Sequence, residues 1–222
     1  MEIIVKDIQT WAGWQTHTQA DGSNIGGVPP AKYGFLQGIP DSSTAMLFYV
    51  EGSTVPGGYA DWEAYRDTPV LPNTGNLQLD FNLTVDEKAA QYAQAIEIDT
   101  ILCIAGLKYN FSFQVNYAEG GEGQIVSKTG AWVNLGDGAA KLMPGIAHHF
   151  TLRYAFDTTQ HLYSFAWIEI DGATYAIADA LKNLPAVPTD WKDGAMLQVQ
   201  QDLNALAGGF SMTLDNMQYT WS

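Results

Sequence analysis

The sequence predicts an all-β protein: a two-sheet antiparallel β-sandwich, or jelly roll, with one or two short helices. Three observations predict this fold. Apolar and polar residues alternate with a period of two, which is typical of half-buried strands. Clusters of Gly, Pro, Asn and Asp separate the alternating runs, and long helical periodicity is almost absent. Many short strands with one apolar and one polar face are expected to pack as two facing sheets.

The alternating runs define the predicted strands along the chain. In order they are 44–50, 77–85, 95–101, 107–117, 124–134, 150–156, 162–171, 173–178, 195–201 and 209–220. Asp171-Gly172 lies between two runs and predicts a type I′ hairpin turn. Helices are predicted only over 86–95 and 179–184, and Pro185 ends the second. Because no fixed-period repeat or low-complexity linker interrupts the chain, residues 1–222 are predicted to form a single domain.

The charge balance excludes several classes of partner. The chain has 24 acidic and 10 basic residues, a net charge of −14. Nucleic acid is therefore not an expected partner, since phosphate binding needs clustered cations. An anionic membrane surface would repel the protein for the same reason. No run approaches the roughly 18 consecutive apolar residues of a membrane span.

Cys103 is the only cysteine, which excludes an intrachain disulfide and a cysteine-based metal site. It lies in an apolar run, and this predicts a buried side chain. The first residues lack the basic and apolar segments of a secretory leader. We expect an extracellular or periplasmic protein in its natural setting, whose leader has been removed; a cytoplasmic protein is the alternative.

The polar faces of the predicted strands indicate where a ligand would bind. Amides and carboxylates match the paired hydroxyls of a sugar, and an aromatic ring covers its C–H face. Trp167 is the predicted stacking residue, and Trp62 is a predicted contact at the rim. The predicted hydrogen-bonding residues, which share the non-core register of strands expected to be neighbours, are Glu97, Asp99, Asn110, Gln114, Arg153, Gln198 and Gln200. The alternative is an ordinary sheet face, polar because it meets water.

The segment Glu97-Ile98-Asp99-Thr100 carries the most specific chemistry. On a strand, Glu97 and Asp99 project from one face with Cα atoms about 7 Å apart, while Ile98 faces the core. Two carboxylates so close repel each other, and such pairs mark a cation site, a shared proton or a hydrolytic pair. Two solvated acids on an exposed strand are the simpler alternative.

This Glu-x-Asp-Thr motif and the alternating strand after it resemble the concanavalin A-like lectin and glucanase superfamily, over residues 76–171. In legume lectins the Glu and Asp of such a motif bind manganese and calcium. Here residues 101–108 carry no oxygen-bearing side chain, whereas calcium takes about 6–8 oxygen ligands. We therefore expect no metal and no cofactor at the motif. Calcium in the acidic, glycine-rich loops 21–24 and 119–122 is an alternative to ordinary turn chemistry.

Glucanases of the same superfamily carry Glu-x-Asp-x-Glu or Glu-x-Asp-x-x-Glu, so the resemblance implies Glu97 as nucleophile and Asp99 as helper carboxylate. The general acid would then fall at Ile101 or Leu102, which cannot supply a proton. A hydrolase would need a second carboxyl group from another strand, and Glu169 is the candidate.

Two further alternatives complete the functional prediction. Jelly-roll polysaccharide lyases use Arg, His and Lys, so His149 with Arg153 or Lys108 is a candidate lyase set. The function that the sequence favours is non-catalytic, lectin-like binding of an oligo- or polysaccharide. A hydrolase or lyase with a non-standard catalytic set is the first alternative, and a structural or assembly module without a ligand is the second.

Overall fold

The computed structural model describes residues 3–10, 13–18, 30–39, 42–52, 58–67, 73–135, 141–204, 206 and 208–222. The strands in these residues are β1 (Ile3–Val5), β2 (Gln15–Thr18), β3 (Lys32–Ile39), β4 (Ser42–Glu51), β5 (Gly58–Arg66), β6 (Thr74–Val85), β7 (Ala93–Ile104), β8 (Leu107–Asn116), β9 (Glu122–Val126), β10 (Trp132–Asn134), β11 (Ala147–Asp157), β12 (Leu162–Ile170), β13 (Ala173–Tyr175), β14 (Leu184–Pro185), β15 (Val187–Pro188), β16 (Gly194–Leu203) and β17 (Gly209–Trp221). A one-turn helix, α1 (Ala89–Tyr92), and short 3-10 turns complete the secondary structure of this part of the chain.

The strands form two antiparallel sheets. The front sheet has the order β10-β9-β8-β7-β16-β5-β2, and β15 also pairs with β8. The back sheet has the order β13-β12-β11-β6-β17-β4-β3, with β1 paired to β17 and β14 to β12. The predicted all-β sandwich is confirmed. β7, which carries the Glu-x-Asp-Thr motif, lies in the middle of the front sheet.

Aromatic residues from both sheets interdigitate in the core. Phe81 of β6 stacks on Phe150 of β11 with ring centroids 4.8 Å apart. Phe113 of β8 crosses from the front sheet and meets Phe150 edge-on at 5.7 Å. Phe111 of β8 packs against Tyr154 of β11 with the rings tilted by 35° and their centroids 4.4 Å apart. Such pairs stabilise a core beyond the burial of their area, so the two sheets are joined by large rings rather than by loops alone.

The predicted strands are found in the structure, but one is split in two and the strand predicted at 173–178 is limited to β13, Ala173–Tyr175. A turn closed by the bond from the Ser127 amide to the Ala131 carbonyl divides the predicted strand 124–134 into β9 and β10. The hairpin at Asp171-Gly172 is confirmed, because both residues have positive φ angles, 52° and 80°, as a type I′ turn requires. The alternation rule missed β1, β2, β3, β5, β14 and β15.

The predicted helices are much shorter than expected. Within 86–95, α1 has only four residues, because β7 starts at Ala93, which pairs with Leu203 of β16. Residues 93–95, whose alanine content favours a helix, therefore belong to strand β7 because they pair in the sheet. Within 179–184 there is a single 3-10 turn, Asp179–Leu181. No helix in the described part of the chain has both the length and the hydropathy to cross a membrane.

Candidate functional site

The outward surface of the front sheet, here called the front face, is the candidate site. On β7, Ile96 and Ile98 belong to the core, so Glu97 and Asp99 point outward together. The prediction that these two carboxyl groups share a face is confirmed. The same alternation on the neighbouring strands places Gln114 of β8 and Gln200 of β16 beside Glu97.

Strand register arranges the front-face side chains in two rows across four strands. The first row, in the order β8, β7, β16 and β5, is Gln114, Glu97, Gln200 and Asp61. The second row, in the same order, is Ser112, Asp99, Gln198 and Glu63. Gln198 and Gln200 of β16 therefore each lie between a carboxyl group of β7 and one of β5. Two strand spacings separate those carboxyl-bearing residues, so their Cα atoms are about 10 Å apart.

Amide groups link the acids. The Gln200 side chain donates to Glu97 Oε1 at 3.3 Å and to Asp202 Oδ1 at 2.9 Å. Toward the sheet edge, the Gln114 amide donates to Gln124 Oε1, and Gln124 donates to Asn134 Oδ1 at 2.6 Å. The front face is thus a continuous network of amides and carboxyls rather than a set of separate solvated groups.

Although these side chains point outward, neighbouring groups cover them closely. Asp99 is only 5% exposed and Gln114 only 4%. Burial, with the nearby Asp99, Asp202 and Asp61 carboxyls, raises the pKa of Glu97 well above its usual value. Burial also raises the pKa of Asp99 to about 7, against the opposing effects of the Ser112 hydroxyl and the Lys108 ammonium.

Asp202 follows the same pattern: burial raises its pKa to about 6, and the bond from Gln200 opposes the shift. An uncharged carboxyl group both donates and accepts hydrogen bonds, and the raised pKa of Glu97 favours that form. The central front face therefore offers donors and acceptors side by side, which is what paired hydroxyls require.

Two acceptors on the front face are open. Asp99 Oδ1 and Asn110 Oδ1 are buried, and neither has a hydrogen-bond partner among the described residues. In the register of β7 and β8, Asp99 lies opposite Ser112. Asn110 lies opposite Ile101, which is two residues further along β7. Because roughly 90% of buried polar atoms are paired, these two unpaired oxygens at diagonal positions of one face are candidates for a hydrogen bond from a ligand.

The structure divides the predicted binding residues into three groups. Glu97, Asp99, Asn110, Gln114, Gln198 and Gln200 all lie on the front face. Arg153 and Trp167 form a pair on the outward face of the back sheet, on β11 and β12, with the guanidinium carbon 5.9 Å from the ring centroid. Trp62 is fully buried in the core against Phe48. The prediction that all nine residues share one surface is therefore wrong for Arg153, Trp167 and Trp62.

Two of the alternative catalytic sets are divided between the sheets, and one is not. Glu169 pairs with Thr151 in the back sheet, on the far side of the core from Glu97, so these carboxyls do not face each other. His149 and Arg153 lie on β11 of the back sheet, whereas Lys108 lies on β8 of the front sheet. The fold therefore does not bring Glu97 together with Glu169, or His149 with Lys108. His149 and Arg153 do lie on the same outward face of β11.

Sequence reasoning missed several front-face residues. Asp61, Glu63 and Tyr65 alternate on β5 with core residues, and Gln124 lies on β9 beside Gln114. The alternation that identifies them is visible in the sequence: the odd positions of 58–66 are polar or aromatic, and they lie on the side of the strand opposite Trp62. That alternation also places Trp62 inside.

The described residues contain no group of three or more His, Cys, Asp or Glu side chains suited to holding a metal ion. Loop 21–24 lies outside the described residues. In loop 119–122, Glu119 Oε2 accepts from Gln124 at 3.2 Å and Glu122 accepts from Asn134. These two carboxylates therefore serve the amide network of the front face.

Comparison with known proteins identifies the fold. No family model matches the chain, and no curated protein matches it in sequence. Among solved structures, a variant of the alginate lyase Aly36B in complex with alginate trisaccharide aligns over 98% of this chain and 97% of its own, with a TM-score of 0.53 and 10% identity. Basic winged bean lectin with Tn-antigen aligns over 95% of this chain and 99% of its own, with a TM-score of 0.52 and 7% identity.

The chain therefore has the concanavalin A-like jelly-roll fold, which the sequence resemblance predicted. Lectins and glycan-active enzymes both occur among the proteins of similar structure. At these identities the likeness concerns the fold, and function has to be argued from the residues of the front face.

Proposed function

We propose that the protein binds an oligo- or polysaccharide on its front face without cleaving it. The observation that carries the proposal is the pair of buried, unpartnered oxygens, Asp99 Oδ1 and Asn110 Oδ1, beside a continuous network of amides and carboxyls. A sugar hydroxyl that donates to either oxygen would supply the missing hydrogen bond. Leaving such a group unpaired costs about 1–3 kcal/mol, so a hydroxyl-rich ligand gains specificity here.

The protonation state of the acids supports a neutral, hydroxyl-bearing ligand. Burial and the neighbouring carboxyls raise the pKa of Glu97 and so favour its uncharged form, which can donate as well as accept a hydrogen bond. Asp99, with a pKa of about 7, is present in both forms near neutrality. A polyanion would meet the remaining carboxylates of the face and be repelled, so neutral glycans fit better than acidic ones.

The apolar character of β7 beyond Asp99 supports binding without cleavage. Ile101, where a glucanase-like general acid would lie, packs with Cys103 and Met196 in a small apolar cluster. Leu102 is buried in the core. The strand that carries Glu97 and Asp99 therefore supplies no second proton donor at these positions. An extracellular setting, where such glycans are met, is part of this proposal.

Calorimetric titration with a panel of neutral and acidic oligosaccharides tests the proposal. We expect a neutral oligosaccharide of the panel to bind. Asp99→Asn or Asn110→Ala should weaken that binding about tenfold, because each removes roughly one hydrogen bond to a charged or buried group. Arg153→Ala and Trp167→Ala on the back sheet are the matched controls and should bind like the wild type.

Three results would count against it. Binding of no oligosaccharide would remove the proposed ligand class. Loss of binding in the Arg153→Ala or Trp167→Ala variant, with Asp99→Asn unaffected, would place the site on the back sheet. Release of reducing ends or unsaturated products from a bound glycan, abolished by Glu97→Gln, would make the protein an enzyme.

A further inference from the structure

A pocket of about 350 Å³ opens at one end of the front face. Its lining includes Tyr65 of β5, Cys103 of β7, Met196 of β16 and Trp191, which precedes β16. Tyr65 and Trp191 are 40% and 41% exposed, whereas most of the described aromatic rings are buried. Cys103 and Met196 also form a buried apolar cluster with Ile101.

The polar groups around this pocket have partners in the protein. The Tyr65 hydroxyl donates to the Asp193 carbonyl. The Lys192 ammonium binds Asp67 Oδ1 at 2.5 Å, and the Lys108 ammonium lies 4.7 Å from the ring centroid of Trp191. The ring of Tyr65 rests on Gly194, where an added Cβ would come within 3 Å of the ring. The walls are thus fixed and present carbon and sulfur to the interior.

The floor of this pocket disfavours a bare hydroxyl group. A hydroxyl that entered between Cys103 and Met196 would lose its water and find no partner, at a cost of about 1–3 kcal/mol for each hydroxyl. An apolar group gains free energy there, about 25 cal/mol for each Å² of its surface removed from water. The group that enters is therefore apolar.

The pocket is continuous with the rows of the front face. Glu63 belongs to the second row and also lines the pocket. Met196 is two residues from Gln198 on β16, and Cys103 is four residues from Asp99 on β7. Two residues of a strand span about 7 Å, so a substituent on a sugar bound at the second row reaches the pocket.

We infer that this pocket binds an apolar substituent, an aryl or acyl group, carried by the glycan bound at the two rows. The inference rests on the proposed function and adds the ligand class: glycans bearing aromatic or ester-linked apolar groups. Trp191 and Tyr65 form the aromatic rim against which the substituent packs, and Met196 and Cys103 form the floor.

Matched pairs of methyl and p-nitrophenyl glycosides of common neutral sugars provide the test. For the pair that binds, we expect calorimetry to show the p-nitrophenyl glycoside at least tenfold tighter than its methyl partner. Trp191→Ala should reduce that ratio to below threefold. Leu36→Ala, which removes an exposed apolar side chain from β3 of the back sheet, is the control and should keep the wild-type ratio.

Cys103 gives an independent readout, because it is the only cysteine and lines the pocket. We expect methyl methanethiosulfonate to modify Cys103 in the folded protein, and the p-nitrophenyl glycoside to slow this modification at least fivefold. The methyl glycoside should slow it less than twofold. Cys103→Ser, which should take no label, confirms where the reagent reacts.

The outcomes separate this inference from the proposed function. Equal affinity for both glycosides, each weakened by Asp99→Asn, would overturn the pocket's role and leave glycan binding intact. Binding of neither glycoside, with p-nitrophenol alone protecting Cys103, would show a pocket unconnected to glycans and overturn both. A folded protein whose Cys103 resists the reagent would show that the pocket does not admit ligands, which also overturns the inference.

Discussion

Glu97 and Asp99 show at the scale of single residues that neighbours set the chemistry of a side chain. The period of two along a strand is enough to predict their shared face. It also predicts the repulsion from Asp99. It does not predict the burial of Glu97, or the carboxyls of Asp202 and Asp61 that raise its pKa further, because those come from other strands. What alternation identifies is a pair of acids; what the fold adds is their protonation.

Trp62 is the residue whose predicted and observed roles differ most. It is fully buried, with its ring 5.1 Å from that of Phe48, so it stabilises the core instead of contacting a ligand. Trp62→Ala should lower the free energy of unfolding by about 3–5 kcal/mol, the cost of a large-to-small change in a packed core. Urea denaturation followed by far-UV circular dichroism measures this loss.

Trp191→Ala is the matched control for that measurement, because Trp191 is exposed at the rim of the front-face pocket. We expect a change of less than about 1 kcal/mol there, as for surface substitutions in general. A Trp62→Ala variant as stable as Trp191→Ala would contradict the assignment of Trp62 to the core.

β16 is the element that organises the candidate site. It lies between β7 and β5, and its register places Gln198 and Gln200 between carboxyls on both sides. The alternation of 195–201 could be predicted from the sequence, but its neighbours could not, because hydrogen bonding joins β16 to β7 across about a hundred residues of chain. For the same reason, β11 and β12, which carry Arg153 and Trp167, were expected to neighbour the strands of the front face, but they belong to the back sheet.

Gln200→Glu tests the role of β16 as a spacer between acids. The substitution replaces the amide that donates to Glu97 and Asp202 with another carboxyl group. Like charges directly across strands are destabilising, and a donor is lost, so the free energy of unfolding should fall by about 1–3 kcal/mol at pH 7.5. Thermal and urea denaturation measure the change.

Gln160→Glu makes the same substitution in an exposed turn and should change stability by less than about 0.5 kcal/mol. At pH 4.5 the buried carboxyls of the front face, whose pKa values are raised, are protonated. The loss of unfolding free energy caused by Gln200→Glu should then shrink toward that of the control. A cost independent of pH would mean that packing, and not charge, determines the identity of residue 200.

The whole molecule is strongly acidic, with a net charge of −14, and the fold concentrates part of that charge on one buried face. From the sequence, the imbalance only excluded partners that need clustered cations. In the structure, Asp61, Glu97, Asp99 and Asp202 meet on the front face, where burial raises the pKa of the last three. The distribution of the acids therefore says more about function than their number.

That distribution predicts how stability depends on pH. A carboxyl whose pKa is higher in the folded state binds more protons when folded than when unfolded, so stability falls as pH rises between the two values. For Asp99 this interval runs from about 4 to about 7, and for Asp202 from about 4 to about 6. We expect the melting temperature to fall by roughly 5–10 °C between pH 5 and pH 8, from the usual dependence on free energy for a chain of this length.

General repulsion among surface acids lowers stability in the same direction, so a comparison variant is needed. The Glu97→Gln/Asp99→Asn double variant keeps the surface charges and removes the two buried titrations. Differential scanning calorimetry should give a clearly shallower dependence for the double variant than for the wild type, with the curves furthest apart at pH 8, where the variant is the more stable. Parallel curves would mean that the front-face carboxyls titrate as ordinary surface acids, and would remove the protonated donors on which glycan recognition at Glu97 depends.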